Sequence, residues 1–171
     1  MKKTIIASIV LVVLGTSNVN ADVSVTWENP DNYSDIDGGE QSQKKFQAEV
    51  TKQLEAYIVE LSKRLAEGQK LSIKVTDLDL AGEVLPGFSQ GLNSPRDMRV
   101  VKRVYFPTMD LEYQLTDSQG AILKSGSAEL KDISFQDNIQ SYQKARDPLA
   151  HEKDMIKEWF DKTFSQRVAT K

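Results

Sequence analysis

Hydrophobic and polar positions along the chain divide it into recognisable segments. Val23-Ser-Val-Thr-Trp27 alternates apolar and polar residues and then meets Asn29-Pro30-Asp31, which predicts a strand closed by a turn. Residues 31–43 are rich in Asp, Asn, Ser and Gly without an apolar period, a polar loop. Phe46, Val50, Leu54, Ile58, Leu61 and Leu65 recur every three or four positions, predicting an amphipathic helix from about Gln43 to Glu67, stopped by Gly68. Leu71, Ile73 and Val75 then alternate with polar residues, but Leu78 and Leu80 continue on the opposite parity. A strand cannot change faces without a bulge, which is expected near Thr76 and Asp77.

Leu85 to Arg99 carries two Pro and two Gly and holds neither period, so a long exposed loop is expected there. Val100 to Phe106 fits a short strand. Met109, Leu111, Tyr113 and Leu115 form a clear alternating strand, and Asp117-Ser-Gln-Gly120 turns it back into a partner over Ala121 to Leu130. Residues 132–146 are polar and irregular. Asp147 offers an N-cap and Pro148 suits the first helical position. Leu149, Ile156, Trp159, Phe160 and Phe164 line one face of a last helix ending near Arg167.

The resulting order is β-α-β-β-β-α. A crossover through the first helix makes strands one and two parallel if they share a sheet, and the later hairpin is antiparallel. The expected fold is α+β: a two-layer domain with a mixed, mostly antiparallel sheet and both helices on one face.

The first 21 residues change the picture of where this domain works. Lys2 and Lys3 precede the apolar stretch Thr4 to Gly15, and Val19-Asn20-Ala21 presents small or modest side chains before Asp22. This is the pattern of a secretory signal peptide, too short for a bilayer anchor, which needs about 20 apolar residues. The reading is therefore a signal peptide over 1–21 and a single domain over 22–171, periplasmic or secreted, with no membrane span after cleavage. Cleavage removes two of the 22 basic residues and no acid, leaving 20 against 25 over 150 residues, a net charge of −5. That balance argues against nucleic acid as a partner. The absence of cysteine removes thiol catalysis and thiolate metal sites, and no cofactor is expected. Oligomeric state is not specified by any of these features.

Four groups of residues have the composition of a site. Arg96, Arg99, Lys102 and Arg103 form the one dense basic cluster, beside the expected long loop; they are the candidate binding residues, for an anionic ligand or an envelope protein, against the alternative of a solvated strand and loop. Asp77 and Asp79, two apart on a strand, share a face and are the weak metal candidates, or charges that prevent edge pairing. Asp31, Asp35, Asp37 and Gly38 have the composition of a calcium loop, but its register places Tyr33 and Lys44 where ligands belong, leaving a turn-forming loop. Gly87-Phe-Ser89-Gln-Gly91 matches a nucleophile elbow, with His151 as the single histidine, but Pro86 and Pro95 break the required strand-turn-helix context. A non-enzymatic binding or accessory role is therefore the leading expectation. A small hydrolase using Ser89 and His151, or a metal at Asp77 and Asp79, is the alternative. Trp27, Trp159 and Phe160 read as core.

Taken together, Val25-Thr-Trp-Glu-Asn-Pro30 with Tyr33 and Asp35-Ile36, Asp77-Leu-Asp-Leu-Ala-Gly82, and Glu152-Lys153 before Trp159-Phe160 resemble an exported bacterial family, domain of unknown function 3016. The resemblance spans about residues 22–166. It implies a small periplasmic or secreted domain and supplies no site residue.

Overall fold

The computed structural model describes residues 21–39, 41–91, 96–137 and 147–165. The expected signal peptide, apart from Ala21, lies outside the described residues. In chain order the elements are β1 (Asp22–Trp27), α1 (Gln43–Ser62), β2 (Lys70–Asp79), β3 (Glu83–Pro86), β4 (Asp97–Val100), β5 (Thr108–Thr116), β6 (Ile122–Lys131) and α2 (Ala150–Phe164). Four strands make the main sheet in the spatial order β1-β2-β5-β6, with β1 and β2 parallel and the other neighbours antiparallel. The expected α+β fold is the one observed.

Burial follows the periods that predicted the elements. Val50, Leu54, Ile58 and Leu61 of α1 join Leu71, Ile73 and Val75 of β2, Met109 and Leu111 of β5, and Ile156, Trp159 and Phe160 of α2 in one cluster. Both helices therefore cover the same face of the sheet. The opposite face carries Ser24, Thr26, Ser72, Lys74, Glu112 and Gln114, polar side chains that suit a solvated surface. Trp159 meets Tyr113 and Phe164 edge-on at 5.6 Å each, tying the last helix to β5.

The bulge lies where the parity changes. Val75 opposes Leu111 and Asp77 opposes Asp110, leaving Thr76 as the extra residue. Leu78 and Leu80 consequently return to the core, while Asp77 and Asp79 stay on the other side.

Four boundaries differ from expectation. The segment 85–99 is not one loop: β3 and β4 pair as a small separate hairpin, with a 3-10 turn over Gly87–Gln90 between them. The strand expected over 100–106 ends at Val100, and Tyr105 N–H closes a turn on Lys102 O at 2.9 Å. The first helix stops at Ser62, whose hydroxyl donates to Val59 O at 2.7 Å, a side-chain bond that competes with further helical pairing. At α2, Asp147 acts two residues before the N-cap position, which Leu149 occupies, accepting the Leu149 N–H at Oδ1, and regular helix begins at Ala150.

Candidate functional site

The polar loop after β1 is a chain of local turns fastened at both ends. Asp35 Oδ1 accepts the Asp37 N–H at 3.1 Å, and Asp37 Oδ1 accepts the Gly39 N–H at 2.7 Å. These carboxylates shape the loop. Gln43 and Gln47, one turn apart on α1, donate side-chain amides to Ile36 O and Pro30 O and so hold the loop against the helix. A Cβ on Gly38 would lie 2.8 Å from Phe46 Cβ, so the loop can lie this close to α1 only with glycine there. At the far end, Leu80 N–H donates to Asp35 O at 3.1 Å, bringing Asp35 beside Asp79 in a single parallel bridge.

Arg99 of β4 closes this region. Its guanidinium donates to Asp35 Oδ2 at 3.0 Å, to Gly82 O at 2.8 Å and to Asp37 O at 2.8 Å. The pair is mostly buried, with side-chain exposures of 22% for Arg99 and 25% for Asp35. Gly82 permits the contact: it has φ +88°, and a Cβ there would stand 3.0 Å from both Arg99 Cγ and Val100 O. One arginine thus joins the small hairpin, the end of β2 and the loop after β1.

Asp79 is the member of this cluster that Arg99 compensates only in part. Its carboxyl is pushed up to about 6, chiefly by burial and then by the neighbouring charges of Asp35 and Asp77, with Arg99 opposing. Asp77 is provided for separately, accepting Ser34 N–H at 2.9 Å and Ser34 Oγ–H at 2.7 Å. The two aspartates do share one side of the strand. Among the described residues, no group of three or more His, Asp or Glu side chains converges in a way that would hold a metal.

On the other side of Arg99 lies a cleft of about 440 Å³ between the first turns of α1, the β3–β4 hairpin and the start of α2. Phe46, Val50, Leu80, Val84, Met98 and Leu149 give it apolar walls, and Asp37, Glu49, Asp97 and Glu152 give it carboxylates. Glu152 is the distinctive residue. It is 1% exposed, and its Oε1 accepts the Ala81 N–H at 2.7 Å. Its Oε2 is buried without a hydrogen-bond partner among the described residues. Burial raises its carboxyl above the ordinary range, against the opposing effects of the Ala81 amide, its own amide and Arg99. A buried carboxyl oxygen with no partner costs free energy until a donor meets it.

Some of the residues that carry the resemblance are thereby brought together: Asp35, Asp79, Ala81, Gly82 and Glu152 lie within this one knot. The chain belongs to the DUF3016 family. Residues 21–162 match its model, described as a protein of unknown function. No curated protein and no solved structure matches the chain.

Against the DUF3016 cleft, the basic cluster is dispersed. Arg99 faces inward, and Arg103 forms an exposed bidentate pair with Asp137. Arg96 has an interaction of its own, while Lys102 lies exposed. The four do not form one open cationic surface. Ser89 sits in the 3-10 turn of the hairpin and donates its hydroxyl to Pro86 O at 2.6 Å, while His151 packs edge-on against Phe135 at 4.7 Å. A larger hollow of about 720 Å³ lies at the opposite end of the sheet, beside Leu65, Leu115 and Phe164. Its basic groups are engaged, Arg64 with Asp161 and Lys124 with Thr163 O.

Glu152 was discoverable in the sequence. It falls on the stripe Leu149, Ile156, Trp159 and Phe160 at helical spacing, an acid at a core position. Arg99 and Asp35 are 64 positions apart, and no local pattern joins them.

Proposed function

We propose that this DUF3016 domain is an exported, non-enzymatic binding protein of the cell envelope that takes a small ligand into the cleft above Glu152. The observation carrying the reading is the partnerless buried Oε2 in the wall of an amphipathic cleft. A cleft of this volume with apolar walls and a few fixed polar groups has the general form of a small-molecule site. Export is supported by the charged, apolar and small-residue pattern before Asp22. Among the described residues no helix is long and apolar enough to cross a membrane.

The test is to express the full chain in a bacterial host, fractionate the cells and examine the periplasmic protein by native mass spectrometry before and after denaturation. The expected product begins at Asp22 and releases a small molecule on denaturation, and Glu152→Ala abolishes that occupancy. Uncleaved protein confined to the cytosol would overturn export. Mature protein that carries no small molecule, and whose cleft amides do not respond in NMR to a fragment set of mixed charge, would overturn the binding role.

A further inference from the structure

The cleft also has a sign. Among the described residues, four carboxylic residues line it, Asp37, Glu49, Asp97 and Glu152, against one basic residue, Arg99. That arginine is already committed to Asp35, Gly82 O and Asp37 O, so an incoming anion finds no unengaged cation among the described lining residues. Asp97 and Glu49 are exposed at the mouth, and Glu152 lies buried in the wall. A donor reaching Oε2 there gains a charge-assisted hydrogen bond in surroundings of low polarity, where such a bond is strongest. The exposed carboxylates attract the same charge during approach.

Resting on the binding role above, we infer that the ligand is a small organic cation: an amine or guanidine on an apolar body. Its charged end meets Glu152 Oε2, and its body lies along Val50, Leu80, Val84 and Leu149. Arg99 lines the cleft but is held by Asp35, Gly82 O and Asp37 O, so it serves there as a clamp rather than as an open anion site.

Three probes of similar size separate charge from shape: 2-phenylethylamine, 2-phenylethanol and phenylacetate, titrated into the mature protein by calorimetry with NMR readout at Ala81 and Leu149. The amine is expected to bind at least about tenfold more tightly than either analogue, and Glu152→Gln, which keeps an acceptor for the Ala81 N–H, to weaken it about tenfold. Asp97→Asn and Glu49→Gln change only exposed groups, so they test the same charge without risk to the core. Each is expected to weaken the amine about two- to threefold and to reduce its salt dependence. Equal or tighter binding of the alcohol or phenylacetate at the same amides would overturn the cationic class and leave the binding role standing. So would a co-purified ligand that is neutral or anionic. Failure of all three probes to move those amides would overturn this inference, and the native-mass experiment then decides separately whether the cleft binds anything.

Discussion

Replacing Asp79 by Asn should stabilise the protein at neutral pH and do nothing in acid. Asp79 is half-buried at the end of β2, beside the carboxylates of Asp35 and Asp77, and Arg99 compensates it only in part. Its folded-state value of about 6 lies above the ordinary 3.8, so the folded chain holds this proton more tightly than the unfolded chain. Stability from this group is therefore complete below about pH 4 and is lost as pH rises through about 6. At about 1.4 kcal/mol per pH unit the difference has a ceiling of about 3 kcal/mol. Solvent screening of a half-buried group reduces the expected gain for Asp79→Asn to about 1–2 kcal/mol. Urea denaturation followed by Trp fluorescence and far-UV circular dichroism, at about pH 4 and about pH 7.5, measures it. Comparing wild type and variant at each pH cancels the titration of Glu152 and Asp110, which are raised in the same direction. A variant no more stable than wild type at about pH 7.5, or a gain equal at both pH values, would refute the reasoning.

Arg99→Leu removes three hydrogen bonds and leaves Asp35 without its partner, so a loss of about 2–4 kcal/mol is expected in the same denaturation assay. Arg103→Ala breaks only an exposed pair with Asp137 and should leave the denaturation midpoint unchanged. Gly82→Ala forces a side chain onto φ +88° against Val100 O and should cost about 1–3 kcal/mol, read as a lowered midpoint with an unchanged slope. Ile156→Ala empties a fully buried position between α2 and the sheet and should cost about 2–5 kcal/mol, seen as a fall in melting temperature by calorimetry.

The elements legible in the sequence were those whose periodicity is enforced by one large core. The parity change between Val75 and Leu78 located the bulge because both flanking runs are buried on the same face. β3 and β4 were not legible because each is four residues long and only partly buried, and they form a sheet of their own with no deep apolar face to impose alternation. The dispersal of the basic cluster was not legible for a different reason. Density of charge along the chain measures neither where each side chain points nor what meets it, and Arg99 meets Asp35, 64 positions earlier in the loop that precedes the first helix.

The bulge at Thr76 links these features to the candidate site. Without the extra residue, the parity of Leu71, Ile73 and Val75 would carry Asp77 and Asp79 into the core, at the cost of burying two carboxylates. With it, Leu78 and Leu80 fill the core and the carboxylates pass to the outer side, where Asp79 meets Asp35. The same shift delivers Ala81 with its N–H toward Glu152, and Gly82 with its carbonyl toward Arg99. Arg99 then stands near two acids whose carboxyls are both raised, Asp79 on one side and Glu152 on the other, while its own hydrogen bonds go to the loop and to Gly82. One guanidinium cannot neutralise Asp35, Asp79 and Glu152 together. The deficit of positive charge is therefore built into the way the chain leaves β2, beside the cleft wall in which Glu152 Oε2 is buried without a hydrogen-bond partner among the described residues.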